Sequence, residues 1–460
     1  MGNLSLKHAA ELCGGSIAPE AEQITFSGVC NDTRELEPGE LFLALKDKRD
    51  GHAFAPAAME KGAAAVLGEH PIDGIPVLVA AEPLRALAQI AAGWRRMLSA
   101  KVIGITGSVG KTTTKEMTSA VLQTTFRTGK SLKNYNNDIG VPRSLLKLTP
   151  DCEAAVLEMG MSHFGDMSRL TAMVQPDIAV ITNIGTMHIE HLGSREGILK
   201  AKLEILEGMQ PDGLVIANGD EPLLRNAGID RKTLFFGIDT PCDLQATQVR
   251  TYPGGVSFRA TGLGCDFAVQ LPAEGRHHVY DALAAIAVGA VCGVSEENMA
   301  KALAAFQNIG DRQKIFRRNG FTIIADCYNA GPESMDAALE VLGARPEPGR
   351  RIAVLGDMLE LGVCAQAAHY RLGQHAADKA DMVFAYGENS RRVVAGATDN
   401  GMPAENARAY DSQELLVADL RRNARAGDVL LFKGSHGMHM EKAMERFLET
   451  EKESTEDGKV

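Results

Sequence analysis

The segment spanning residues 102–122 limits the fold more than any other. A β-branched and aliphatic run at 102–105 leads directly into a glycine-rich turn, Gly107-Ser108-Val109-Gly110. Lys111-Thr112-Thr113-Thr114 then opens a stretch with helical spacing through Met117, Val121 and Leu122. Glycines at a strand-to-helix turn let backbone N–H groups approach phosphate oxygens closely, and a helix N-terminus adds partial positive charge. In that frame Lys111 reaches the β- and γ-phosphates and the Thr112 hydroxyl ligates Mg²⁺. The common loop GxxxxGK[ST] has glycine where Ile105 stands, so the string here is TGxxGKT. The expected nucleotide contacts are Thr106, Gly107, Ser108, Val109, Gly110, Lys111, Thr112 and Thr113. A kinase, an ATPase and a ligase all remain open on this segment alone.

The same alternation continues along the chain. Runs of strand length at 155–157, 178–181 and 214–216 are separated by helical stretches, which indicates a parallel sheet with helices on both faces. From about Leu234 to Leu271 the pattern changes, and Tyr252-Pro253-Gly254-Gly255 reads as the turn of a hairpin. An Ala-rich helix follows at 281–293. After a break at Asn308-Ile309-Gly310-Asp311, four more strand-like runs at 322–325, 352–355, 382–385 and 429–432 predict a doubly wound unit. The first hundred residues hold short apolar runs at 41–45, 63–67 and 77–80 and a helical stretch at 83–98. At roughly 150 residues per domain, 460 residues suggest about three domains. The expectation is an α/β protein of three domains. A small mixed α/β N-terminal domain covers 1–99. A central P-loop parallel-sheet domain with a side antiparallel sheet covers 100–310. A C-terminal doubly wound, Rossmann-like domain covers 311–448, and an acidic tail runs from 449 to 460.

Composition removes several function classes. With 45% hydrophobic and 23% charged residues the chain is not broadly disordered. The formal charge of −11 argues against a dedicated duplex nucleic-acid binder, and 5% aromatics with one Trp argue against a base-stacking platform. The eight cysteines form no CxxC pair, so a reducing compartment is expected. No run reaches 18 apolar residues, and the first thirty residues lack a secretory pattern. The expected setting is cytoplasmic, with no nucleic-acid partner and no membrane span.

A phosphate-loop enzyme needs a second magnesium ligand from a neighbouring strand end. Glu158, after the 155–157 run, is such a position, and Mg²⁺ prefers hard oxygen ligands. His188 and His191 lie three apart. A zinc pair and plain surface polarity both fit that spacing, but no cysteine is near to complete a zinc set. Lys200 and Lys202 read by default as a solvated helix face. Cys327 reads as a packed strand-end thiol, and Met438, Met440 and Met444 as core spacing on the last helix. His369 and His375 read as surface helix positions. His436 and His439 fit either an anion contact or a polar cap.

Taken together, the ordered strings resemble the Mur ligase family, ATP-dependent amide-forming enzymes of peptidoglycan synthesis. The resemblance runs from about Ser27 to Met444. It includes Asn31-Asp32-Thr33-Arg34, Asp50-Gly51-His52, TGSVGKTTTKE at 106–116 and Asn134-Tyr135-Asn136-Asn137. It continues with Leu157-Glu158-Met159-Gly160, Ala201-Lys202-Leu203-Glu204-Ile205, Asp326-Cys327-Tyr328-Asn329, GDMLELG at 356–362 and Lys433-Gly434-Ser435. GDMLELG with the Asp326–Pro332 string resembles the branch that adds D-alanyl-D-alanine, and the DNPR string of the lysine- or diaminopimelate-adding branch is absent.

The resemblance implies the following. Ser27, Asp32, Thr33 and Arg34 lie near the uridine diphosphate of a UDP-MurNAc-tripeptide. Asn134 and Asn137 face the muramyl peptide. Arg312, Asp326, Tyr328 and Asn329 approach the nucleotide and the incoming dipeptide. Lys202 matches a lysine carried as a carbamate made from CO₂, and His188 matches a magnesium ligand. Two Mg²⁺ ions would be held by Thr112, Glu158, His188 and carbamylated Lys202, with Lys111 completing the catalytic set. The family's adenine-facing asparagines are replaced by His278 and Asp281, of which Asp281 can only accept and His278 can donate. Arginine in the family's KGSRGM is His436 here.

The expected reaction is ATP-dependent joining of D-alanyl-D-alanine to UDP-MurNAc-tripeptide through an acyl phosphate, with release of ADP, by a monomer. The alternatives are a lysine- or diaminopimelate-adding ligase, a folylpolyglutamate-type ligase, a nucleotide-binding scaffold and a simple kinase.

Overall fold

The computed structural model describes residues 4–46, 48–308 and 312–449. The expected break at 309–311 and the tail at 450–460 lie outside the described residues. Three α/β units follow one another, as the alternation of strand and helix signals predicts.

The N-terminal unit is built on a four-stranded, all-parallel sheet in the order Val29–Cys30, Leu41–Leu43, Ala65–Gly68, Val77–Val79. A two-stranded antiparallel pair, Leu4–Ser5 with Thr25–Phe26, lies beside it. The helix Pro83–Met97 starts on a proline and carries Arg95 and Arg96 in its last turn, where cations suit the helix dipole. Its buried face (Leu87, Ile90, Ala91, Trp94) follows the 3.6-residue period. The indole N–H of Trp94 donates to the Leu148 carbonyl at 3.1 Å, which ties this unit to the next.

The central unit holds a nine-stranded sheet. From one edge the strands are Cys265–Leu271, Gly255–Gly262, Leu244–Tyr252, Thr233–Gly237, Leu214–Asn218, Ile178–Ile181, Lys101–Thr106, Ala154–Glu158 and Thr128–Lys130. The antiparallel hairpin at Pro253-Gly254 continues the edge of the parallel sheet through Thr233–Gly237, so one sheet carries both patterns. In the middle of the parallel part, Thr106 pairs in register with Ile181, and Ile105 with Glu158. Three neighbouring strands therefore end together, and the loops after 106, 158 and 181 converge on one crevice. Behind them the helix Lys111–Gln123 buries Met117, Val121 and Leu122 in one core with Leu283 and Ile286 of the helix His277–Cys292.

The C-terminal unit is a six-stranded sheet in the order Lys314–Arg318, Phe321–Asp326, Val429–Lys433, Arg351–Gly356, Met382–Tyr386, Ala407–Tyr410, with only the first strand antiparallel. Apolar side chains cover both faces. The two edge strands escape a hydrophobicity reading: Lys314–Arg318 carries Lys314, Arg317 and Arg318, as edge strands often do, and Ala407–Tyr410 is only four residues long.

One surface expectation is corrected. His369 is fully buried on the inner face of the helix Ala365–Lys379. Its Nε2 accepts from the Met358 amide at 2.9 Å, and its Nδ1 donates to the Ala365 carbonyl at 2.7 Å. A ring with both nitrogens satisfied is tolerated inside, which polarity alone does not reveal. His375, on the same helix, is half-buried and contacts Asp336 at 2.7 Å and Glu340 at 3.0 Å. Cys327 is a buried thiol, and Met440 and Met444 are core residues of the last helix, Met440–Leu448.

Candidate active site

The phosphate-type loop is shaped by two glycines that no other residue could replace without movement. Gly107 has φ +153° and Gly110 φ +86°. A side chain at 107 would run into the Thr182 hydroxyl, and one at 110 would meet Asp281 Oδ1. Asn183, at the neighbouring strand end, accepts through Oδ1 from the Ser108 and Val109 amides at 3.1 and 3.0 Å. Thr182 donates its hydroxyl to the Val109 carbonyl at 2.6 Å. Ser108 Oγ accepts from the Gly185 amide at 2.8 Å. Two backbone amides thus already converge on a single acceptor oxygen, which is the geometry an anion uses. Lys111 donates to the Gly107 and Ser108 carbonyls at 2.7 and 3.1 Å. Burial pushes the Lys111 ammonium below its ordinary value, against a pull from Glu158, and Arg312 adds to the lowering.

Beside the loop lies a set of hard donors. Thr112 donates its hydroxyl to Glu158 Oε2 at 2.6 Å, and Asn136 donates to Oε1 at 2.8 Å. The Glu158 amide is capped by Ser131 Oγ at 2.8 Å. Lys202, on the helix Arg195–Leu203, is 2% exposed, so the default of a solvated face is wrong for it. Its ammonium has no hydrogen-bond or ion-pair partner among the described residues. Burial, and then the nearby Lys111, hold it well below the usual lysine value. His188 caps the short helix Ile189–Leu192 and turns Nδ1 to Glu360 of the C-terminal unit. His191 is exposed and lies against the ring of His163 at 4.4 Å. Among the described residues the pair belongs to no three-ligand His, Cys, Asp or Glu cluster, so a zinc site is not formed there. The Thr112 hydroxyl and the Glu158 carboxylate are hard oxygens of the kind that could hold Mg²⁺, with the His188 ring as a further donor.

A cavity of about 530 Å³ joins these parts to the C-terminal unit. Ser108, Val109, Gly110, Lys111, Thr113, Asn134, Asn137, Glu158, His188, His278, Asp281, Arg312, Asp326, Tyr328 and Asn329 all line it. Thr106, Gly107, Thr112 and Lys202 are buried and do not. Ser27, Asp32, Thr33 and Arg34 lie away from it, on the N-terminal unit. There Arg34 pairs with Asp32 at 2.6 Å, and those hydrogen bonds pull the Asp32 carboxyl down to about 2. That unit reaches the cavity's border through Glu35, bonded to Lys133 at 2.9 Å and Tyr135 at 2.7 Å.

The two changed positions on the helix His277–Cys292 divide their work. Asp281 accepts from the Thr114 hydroxyl at 2.9 Å and from His278 Nδ1 at 3.2 Å, so both oxygens are engaged within the protein. His278 Nε2 is buried with no partner among the described residues, and it is the nitrogen left for a ligand. Across the cavity Lys433 bridges Asp326 at 2.7 Å and the Asn329 carbonyl at 2.9 Å. The Arg312 guanidinium stacks 4.2 Å above the Tyr328 ring, and Asn134 donates to the Tyr328 hydroxyl. Thr186 donates to Glu333 at 3.1 Å, and the partly buried Ile189 packs against the cores of both units.

Asn136, Thr182, Asn183 and Glu333 take part without having been expected. The position of Asn183, just past a parallel strand, is the signal that singled out Glu158. It was available in the sequence for an amide as much as for an acid.

Comparison with known proteins agrees with this geometry. Residues 105–289 match the Mur ligase middle domain and residues 311–436 the Mur ligase, glutamate ligase domain. The chain is 41% identical over 454 residues to the UDP-N-acetylmuramoyl-tripeptide–D-alanyl-D-alanine ligase of Bacillus subtilis (strain 168), covering 97% of this chain and 98% of that one. It superposes on a crystal structure of MurF from Acinetobacter baumannii with a TM-score of 0.88 at 32% identity, covering 98% and 100% of the two chains. With MurF ligase from Thermotoga maritima in complex with ADP the TM-score is 0.79 at 29% identity, covering 91% and 96%.

Proposed function

The chain belongs to the Mur ligase family, and from that premise we propose that it joins D-alanyl-D-alanine to UDP-MurNAc-tripeptide, converting ATP to ADP and phosphate, in peptidoglycan precursor synthesis. The observation that carries the reading is the single cavity in which the lysine-bearing loop and Glu158 face Arg312, Asp326 and Tyr328.

The chemistry follows from charge. A terminal carboxylate of the tripeptide attacks the γ-phosphorus of ATP, and ADP leaves. Two anions must meet, so neutralisation and alignment do most of the work. Lys111 and the 108–111 amides hold the phosphates. Asn134 and Asn137 hold the peptide, and Arg312 steadies the nucleotide from the other side. Mg²⁺, held by Thr112, Glu158, His188 and Lys202, supplies further neutralisation of the phosphate oxygens. The dipeptide amine then attacks the acyl carbon, phosphate leaves, and the amine proton is released. Tyr328 and Asn329 sit where they would orient that amine. Contacts from Thr186 to Glu333 and from Asn134 to Tyr328 keep the two units together and water away from the acyl phosphate.

Lys202 serves as a carbamate in this reading. Burial disfavours the ammonium form of this amine, and it is the neutral amine that adds CO₂. The product is an anionic oxygen ligand where an ammonium would repel the cation. The N-terminal unit, with Ser27, Asp32, Thr33 and Arg34, takes the uridine diphosphate. The enzyme works in the cytoplasm. Eight cysteines with no CxxC pair among them support that, and no helix among the described residues is long and apolar enough to cross a membrane.

The test is ADP and phosphate release with each substrate omitted in turn. Release that requires both UDP-MurNAc-tripeptide and D-alanyl-D-alanine is expected. Equal or faster turnover with lysine, diaminopimelate or glutamate as the amine would overturn the assignment.

A further inference from the structure

Two non-glycine residues with left-handed backbone meet across the seam between the central and C-terminal units: His188 at φ +64° and Glu360 at φ +61°. That conformation costs a residue with a Cβ about 1–2 kcal/mol, so the surroundings must hold it. They do. Ile189 packs against the C-terminal core, and the Glu190 amide donates to the Glu360 carbonyl at 3.4 Å. Gly362 lies so close to Glu190 that an added Cβ would come within 3.1 Å of it. Held this way, the Glu360 carboxylate accepts from His188 Nδ1. A carboxylate can only accept, so in the neutral ring the proton sits on Nδ1 and Nε2 keeps its lone pair.

We propose that Glu360 is a positioning residue, delivered by the C-terminal unit, that holds His188 in the tautomer and orientation able to ligate the divalent cation beside Glu158. Seating of the C-terminal unit and cation binding then reinforce each other. The proposal rests on the reading of His188 as a cation ligand. A ligating imidazole is normally oriented by an acceptor on its other nitrogen. Here the acceptor comes from another unit, 172 residues along the chain. The coupling is reciprocal: whatever cation binding gains from the closed seam, the closed seam gains from the cation.

Mn²⁺ is the probe, counted free and bound by electron paramagnetic resonance on the full-length enzyme with ADP present. Glu360→Ala is expected to weaken Mn²⁺ binding by roughly tenfold to a hundredfold. Glu360→Gln keeps an acceptor oxygen for Nδ1–H and is expected to retain most of the affinity. In a His188→Ala background, Glu360→Ala should add less than about twofold, because the group it orients is gone. The Glu360 side chain is about half exposed, so its removal leaves the fold intact, and near-UV circular dichroism checks this. Wild-type affinity in Glu360→Ala, or equal losses in both backgrounds, overturns the proposal. A wild-type enzyme that holds no Mn²⁺ with ADP overturns the reading of the site itself, which is a separate result.

Discussion

The Thr112 hydroxyl donates to Glu158 Oε2 at 2.6 Å, linking the first turn of the loop helix to the end of the adjacent strand. The pair sets two hard oxygens side by side where a cation would bridge protein and phosphate. Glu158→Gln keeps the shape but replaces one oxygen by an amide nitrogen, which cannot ligate. ADP release under saturating substrates is expected to fall by roughly a hundredfold to a thousandfold, the scale of losing one fixed electrostatic contact. ADP affinity measured calorimetrically in EDTA should stay within about twofold. Unchanged turnover would remove Glu158 from the metal site.

Lys202 provides a test that reads stability as well as activity. Its folded value lies well below the ordinary 10.5 of the unfolded chain, so between the two the unfolded state binds the extra proton. Stability must then rise with pH across that window. Lys202→Met removes the penalty. In CO₂-free buffer it should melt higher than wild type, with the gain largest on the acid side and vanishing towards 10.5. The same variant should lose turnover, and added bicarbonate should not restore it. A labelled-bicarbonate carbon signal in wild type, absent from the variant, would report the carbamate directly.

His375 should show the opposite slope. Hydrogen bonding to Asp336, joined by Glu340, raises its value above 6.5 despite partial burial. The folded state therefore binds the proton more tightly. The stabilisation is complete below 6.5 and fades as pH rises through the folded value. His375→Gln is expected to cost under about 1 kcal/mol at pH 5.5, since the site is partly solvated, and nothing at pH 9. Urea unfolding at the two pH values measures the difference.

Trp94 is the single tryptophan, 5% exposed, and its only polar group is spent on Leu148. Trp94→Phe leaves that carbonyl unpaired and a small void behind it, at a cost of roughly 1–3 kcal/mol. In wild type the intrinsic fluorescence should shift to the red as the first two units separate. A red-shifted native spectrum would contradict the burial.

Much of this protein was legible before any coordinates. Buried parallel strands announce themselves as unbroken aliphatic runs, and the strand–glycine–helix order at 102–122 leaves few folds available. The resemblance then tied Lys202 and His188 to chemistry that spacing alone had no reason to assign. Local pattern was weakest where polarity and burial part company. Lys202 sits on a helix face that periodicity treats as wet, yet it is buried, near enough to Lys111 for the two charges to oppose each other. His369 is inside because a loop amide and a helix carbonyl satisfy both of its nitrogens. The engagement of Asp281 by Thr114 depends on two helices meeting 167 positions apart, which no local window contains. Asn183 was overlooked because an amide at a strand end carries no charge to draw attention.

Ile189, itself partly buried, packs against two hydrophobic interiors at once, that of the central unit and that of the C-terminal unit. Were the units to part, this side chain would leave one of them and expose more of its surface to water. Wetting it is unfavourable, so the parting carries its own restoring force, with the sign of a spring-loaded door. Separating the two units would therefore wet apolar surface at 189, and a polar residue there would lower that cost.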